Sequence, residues 1–247
     1  MTFESFRGVT LFGASVTGPR HQSQGQPNQD AWLKVQGRFG SLAVVCDGLG
    51  SRSASSLGAN GACQAVRQAV TRWPGAATGA APADLIRLVE VLWRFILSSH
   101  HADDCATTCQ FALRETNGTL VIAGLGDGAL LIRENSDGVK CYGGRSGADF
   151  ANETLALGIP HKLRDWWVEV LPPHPHRSVV IASDGVADDL RPDRLDGFIG
   201  WLTEEMAPLP AHQRWRRLQT ELRHWPVPHH TDDKTLAVMI EMEMDEQ

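Results

Sequence analysis

The chain has 247 residues, 42% hydrophobic and 21% charged, with 23 basic against 29 acidic side chains and a net charge of −6. That length supports one large α/β domain or two small ones around a sizeable core. The acidic balance gives no support to a nucleic-acid partner, and no run approaches 18 uncharged apolar residues, so no membrane span or membrane partner is expected.

The first seven residues lack the basic and apolar regions of a signal peptide. Residues 9–16 alternate weakly and predict a first strand, and 18–30 read as a polar loop. Strands are predicted over 31–35 and 41–46, joined by a turn at 37–40. The small hydroxyl residues of 51–56 offer an N-cap to a helix running to about 73. A Gly/Ala/Pro connector over 74–82 precedes a second helix over 85–97, apolar at Leu85, Leu88, Val89, Leu92, Trp93 and Ile96. Strands follow over 107–113, 120–125 and 129–133, the first two joined by a hairpin turn at Asn117-Gly118. Ser136-Asp137-Gly138 marks another turn, before a strand at 139–142. The irregular, polar 143–165 reads as a flap. A strand pair over 166–171 and 177–182, helices over 195–206 and 213–225, and a last strand over 235–242 complete the chain.

There is no internal repeat and no clean boundary, so residues 1–247 read as a single domain. Short hairpin links predict antiparallel pairing, and about ten strands exceed one comfortable twisted sheet. The expected fold is α+β: a four-layer α-β-β-α sandwich with two central, mainly antiparallel β-sheets.

Four apolar runs abut an aspartate. Residues 42–46 lead into Asp47-Gly48, 120–126 into Asp127-Gly128, and 179–183 into Asp184-Gly185, whereas Asp232-Asp233 precedes 236–240. An Asp closing one strand and an Asp opening its antiparallel neighbour fall on one sheet edge. Asp-Gly is also ordinary turn chemistry, and Asp137-Gly138 and Asp196-Gly197 serve as internal controls, since neither follows a buried-looking strand. Four acids on one edge repel unless cations sit among them, and Mg2+ or Mn2+ takes such oxygen ligands. Gly48 and Gly50 would let backbone approach an ion. Two cations about 4 Å apart can hold a hydroxide and clamp a phosphate, with no side-chain nucleophile.

The motifs then carry a resemblance. Pro-Asn-Gln-Asp (27–30), Val-Cys-Asp-Gly-Leu-Gly-Ser (45–51), Ala-Thr-Thr-Cys (106–109), Gly-Leu-Gly-Asp-Gly (124–128), Ala-Ser-Asp-Gly-Val-Ala-Asp (182–188) and Asp-Asp-Lys-Thr (232–235) stand in this order along nearly the whole chain. Together they resemble the metal-dependent serine/threonine phosphatases of the protein phosphatase 2C type. The resemblance implies hydrolysis of phosphoserine and phosphothreonine in a phosphorylated protein substrate, with two Mn2+ or Mg2+ ions and a weaker third. It further implies a compact bacterial member paired with a cognate serine/threonine kinase. By the same resemblance Asp47 bridges two metals, Gly48 offers its carbonyl to the second, and Asp184 and Asp232 complete the first. Asp127, Asp184 and Asp188 match the third site, and Asp30 bonds a coordinated water.

Three positions depart from the family's pattern. Gln29 stands where a Glu is usual, Leu49 where some members carry a His, and the stretch 23–26 holds no phosphate-gripping Arg. Arg20 or His21 could bind substrate phosphate in its place, or be solvated loop residues. Asn152-Glu153-Thr154 could touch substrate or only shape the flap. These departures keep open a second reading, a degenerate, catalytically weak binding or regulatory module. The five cysteines (Cys46, Cys63, Cys105, Cys109, Cys141) fit free thiols in a reducing cytoplasm. Cys105/Cys109, His174/His176 and His229/His230 are weak metal-ligand candidates. Trp201, Trp215 and Trp225 read as core or as a partner-docking face.

Overall fold

The structure is a computed structural model and describes residues 8–134, 138–143, 154–227 and 230–241. Ten strands form two five-stranded sheets. β1 (Val9–Val16), β10 (Lys234–Glu241), β9 (Arg177–Ala182), β6 (Ala129–Glu134) and β7 (Val139–Gly143) lie in that order in the first. β2 (Asp30–Gly37), β3 (Gly40–Asp47), β4 (Cys109–Arg114), β5 (Leu120–Leu125) and β8 (Trp167–Leu171) form the second. Every pairing is antiparallel.

The continuous apolar runs follow from burial on both faces. In β3, Leu42, Val44 and Cys46 point to one core layer, and Ala43 and Val45 to another. In β10, Leu236, Val238 and Ile240 face outward to helices, while Ala237 and Met239 face the other sheet. Three hydrophobic layers therefore stack: one between the sheets and one beneath each helical cover. Helices α2 (Ser55–Val70) and α3 (Pro82–Ile96) cover the second sheet. Helix α5 (Leu195–Gly200), its π-helical continuation Trp201–Met206 and α6 (Ala211–Arg223) cover the first. The expected four-layer sandwich is what forms.

Local departures are instructive. The predicted loop 18–30 contains a five-residue helix, α1 (Pro19–Ser23), started by Pro19. Helix α2 is capped at Ala54 with no side-chain cap, so none of the serines serves as expected. Trp201 and Trp225 both pack on Phe198, and Trp225 donates to Asp189 at 2.9 Å; only Trp215 of the three is well exposed, at 48%. Asp137 and His229 lie outside the described residues, as do residues 144–153 of the predicted flap.

The later part of the predicted flap and the residue that follows it are clasped to α3 through His161 and Trp166. Glu90 Oε1 accepts from Trp166 Nε1 and meets His161 Nε2, each at 3.0 Å, while His161 Nδ1 sits 2.9 Å from the Ile159 carbonyl. Both partners of the ring are acceptors, so the arrangement favours the doubly protonated ring. Glu90 accordingly holds the His161 pKa up. A raised folded pKa contributes stability that is complete below about 6.5 and is lost as pH rises through the folded value.

Helix α2 lies close to its neighbours through glycine. A Cβ at Gly58 would overlap the Cys105 carbonyl, whereas at Gly197 it would meet nothing within 4 Å. Gly58→Ala should cost about 1–3 kcal/mol in urea unfolding, while Gly197→Ala should shift stability by no more than about 1 kcal/mol, in the stabilising direction. Equal effects of the two would contradict this packing.

Candidate metal centre

The carboxylates do not gather on one sheet edge as expected; they gather at one end of the sandwich, from both sheets. β3 and β5 lead to Asp47 and Asp127 from one sheet, while Asp184 and Asp232 flank β9 and β10 of the other. Asp47, Asp127, Asp184 and Asp232 line one cleft of about 130 Å3, with Gly48, Gln29, Arg20 and His21 in its wall.

Asp47 is held by its backbone. Its N–H donates to Thr108 Oγ1 at 2.9 Å, and its carbonyl accepts from Thr108 N at 2.7 Å and Thr107 Oγ1 at 2.9 Å. Leu49 N donates to the Ala106 carbonyl at 2.9 Å beside these threonines, and on the other side Gly48 N donates to the Gln29 carbonyl at 3.1 Å. The turn after β3 is thus pinned from both flanks, which leaves the Asp47 carboxylate aimed without using its own oxygens. Gly48 is required by close backbone approach: a Cβ there would lie 2.7 Å from Ser55 and 2.8 Å from the Gln29 carbonyl oxygen. Gly50 has no such need.

The two sheets are tied together directly beneath. Asp30 faces Asp47 across the β2–β3 ladder and is 7% exposed. Ser183, which precedes α4 (Asp184–Ala187), donates its hydroxyl to Asp30 Oδ2 at 2.8 Å and accepts from Thr235 N at 3.1 Å. Asp233 is a second tie, only 2% exposed, accepting from Gly18 N at 2.7 Å and Gln29 N at 2.6 Å. Ser183 and Asp233 both lie inside motifs visible in the sequence. Their roles were not legible, because partners 52 to 215 residues away leave no local pattern.

Crowding shows in the acidities. Burial, then repulsion from Asp30, Asp184 and Asp232, pushes Asp47 well above the ordinary carboxylate range. Burial raises Asp184 too, opposed by its hydrogen bond with Asp47 and assisted by Asp127, Asp232 and Asp188. Two carboxyls in hydrogen-bond contact need a proton or a cation between them. Asp30 is pushed to about 7, chiefly by burial. Farther out, Asp127 accepts from Thr154 Oγ1 at 2.9 Å, so Thr154 ties the flap base to the cleft, while Asn152 and Glu153 lie outside the described residues. Asp188 is exposed at the C-cap of α4.

The remaining candidates divide. Arg20 is exposed at the cleft, its backbone N bonded to the Thr231 carbonyl at 3.1 Å. His21 is not a solvated loop residue: it is 3% exposed, with Nδ1 3.0 Å from Asp233 Oδ2. Gln29 is 8% exposed, and its Oε1 is buried with no hydrogen-bond partner. Among the described residues His174/His176, His230 and Cys105/Cys109 join no group of three possible metal ligands. His230 instead pairs with Asp189.

The donor set fits hard divalent cations. Anionic oxygens from separate segments line it, a neutral amide oxygen is left without a partner beside them, and burial penalises their charge; among the described residues Asp47, Asp184 and Asp232 share the cleft without bringing three ligand atoms within 4.8 Å of one another.

A model of the family described as Protein phosphatase 2C matches residues 17–225. Among solved structures, the chain is similar to the catalytic domain of the serine/threonine protein phosphatase PstP in complex with two manganese ions. There the TM-score is 0.69 at 16% identity, over 96% of this chain and 99% of that one. It is also similar to the S. agalactiae serine/threonine phosphatase, with TM-score 0.68 at 15% identity over 95% and 100% of the two chains. RsbX in complex with magnesium gives 0.59 at 12% identity over 95% and 96%. Comparison with curated proteins finds no match. At these identities the structures speak for the fold.

Because the folded pKa of Asp30 lies above its ordinary 3.8, its contribution to the metal-free fold is complete below about 3.8 and is lost as pH rises through about 7. In chelator, Asp30→Asn should therefore be more stable than the parent at pH 8, by on the order of 1–3 kcal/mol, and should lose that advantage at pH 4. Urea midpoints at the two pH values measure it; a gap independent of pH would contradict the burial of an ionisable Asp30.

Proposed function

Since the chain belongs to the protein phosphatase 2C family, we propose that it is a metal-dependent phosphoprotein phosphatase acting on phosphoserine and phosphothreonine. The observation that carries the reading is the contact of Asp47 with Asp184 inside a cleft that Asp127 and Asp232 also line. Two ions, Mn2+ or Mg2+, would be held by Asp47, Asp184 and Asp232, with Gly48 offering its carbonyl and Gln29 a neutral oxygen. A third, weaker site would use Asp127, Asp184 and Asp188. When bound, such ions supply an activated water as nucleophile and offset the charge of the phosphoryl oxygens.

The chain's own residues do the rest. The pinned backbone of Asp47 and the helix-start position of Asp184 fix where the two carboxylates point. Asp30, facing Asp47 from below, would hydrogen-bond a water held by the ions. Arg20, exposed at the cleft, supplies the guanidinium that the 23–26 stretch lacks. No protein nucleophile is needed.

The reading takes 1–247 as one domain and its substrate as a phosphorylated protein, with a cognate kinase upstream. No helix among the described residues is long and apolar enough to cross a membrane. Free thiols at all five cysteines suit a cytoplasmic setting.

A second reading, a weak or inactive module that binds phosphoprotein, draws on Gln29 and Leu49. A cleft with one fewer charge holds its second ion less tightly, and Leu49, which lines the cleft, cannot donate a proton.

Hydrolysis of p-nitrophenyl phosphate and of a phosphothreonine peptide separates the two. The phosphatase reading expects turnover with Mn2+ that EDTA abolishes, and a loss of at least about a hundredfold in Asp47→Asn and Asp184→Asn. Arg20→Ala should raise KM by about tenfold with kcat little changed. Activity that survives both Asp47→Asn and EDTA would sink the metal mechanism; phosphopeptide binding without turnover would favour the second reading.

A further inference from the structure

We propose that His21 is a nitrogen ligand to a first-row transition-metal ion, completing with Asp232 and Asp233 a mixed imidazole–carboxylate site at the edge of the cleft. The inference rests on the reading of the cleft as a metal centre and adds to it a ligand from α1.

His21 is 3% exposed although its helix has only five residues. It is held inside because Gly18 N donates to Asp233 and Arg20 N to the Thr231 carbonyl, which together fasten α1 to the segment entering β10. Nδ1 faces Asp233 Oδ2 across 3.0 Å, yet it makes no hydrogen bond and is shut off from solvent. The two atoms are close but not aligned for donation, and Oδ2 already accepts from Gln29 N at 2.6 Å. A buried ring nitrogen without a partner is costly unless something else occupies its lone pair.

The spacing suits an ion. Two adjacent ligands on a metal with bonds of about 2.1 Å stand about 3.0 Å apart, and two opposed ligands about 4.2 Å apart. His21, Asp232 and Asp233 form, among the described residues, the group of three whose ligand atoms all lie within 4.8 Å of one another. Asp233 is oriented by its two backbone donors, as outer hydrogen bonds orient the ligands of a metal. An imidazole nitrogen beside two carboxylates softens the donor set, so Mn2+, Fe2+, Co2+ or Zn2+ should be held in preference to Mg2+.

The test is pulsed EPR of the full chain loaded with Mn2+, in natural-abundance and 15N-histidine-labelled protein, with Mg2+ competition followed by calorimetry. The expected result is an imidazole nitrogen coupling on bound Mn2+ that changes on 15N labelling and disappears in His21→Gln. The Mn2+ preference over Mg2+ should fall by at least about tenfold in that variant. The labelled parent protein decides the question even if His21→Gln folds poorly. Mn2+ bound with oxygen couplings alone overturns the inference and leaves the phosphatase reading standing, His21 then being a structural partner of Asp233. No Mn2+ bound at all overturns both.

Discussion

Asp47 and Asp184 meet carboxyl to carboxyl where two sheets converge, and that contact is tolerable only with a proton or a cation between them. The opposite end of the sandwich shows the other solution. There Glu241 is paired with Arg114 and Arg177, and Glu134 with Arg177, so buried acids are matched by guanidinium groups. Among the described residues at the cleft end, an exposed arginine lines the wall and Lys234 turns its ammonium to the Asp232 carbonyl at 3.1 Å. The fold thus gathers carboxylates at that end, and the ties through Ser183 and Asp233 keep it from relaxing apart.

Much of the architecture was legible because this fold buries strands on both faces. Runs such as 42–46, 120–125 and 236–240 are apolar throughout, and the helical spacing of 85–97 is plain. The aspartates at the strand ends were legible for the same reason, since each interrupts an apolar run. What could not be read was which sheet each strand joins. β3 and β9 look alike in sequence, yet they lie in different sheets, so the acids meet across the sandwich rather than along one edge. The five residues of α1 are too few to show a period, and His21 therefore looked like a loop residue.

The motif residues acquire separate duties in the structure. Thr107 and Thr108 grip the backbone of Asp47, which explains why two hydroxyl residues stand together there. Ser183 links Asp30 to β10, and Asp233 links β2, α1 and β10. Around the cleft, fidelity to the family is uneven: the carboxylates remain, Gln29 replaces a charged ligand position, and Arg20 and His21 come from a segment that other motifs do not cover. In the proposed phosphatase, phosphate contact would come from α1 while the carboxylates keep the places that the motifs give them.

The carboxylates at the cleft are proposed as a divalent-cation centre. Anomalous diffraction from crystals grown with Mn2+, recorded at the manganese edge, tests it most directly. The account predicts strong peaks within bonding distance of Asp47, Asp184 and Asp232. A cleft without such peaks, in crystals that hold Mn2+ elsewhere, would contradict it.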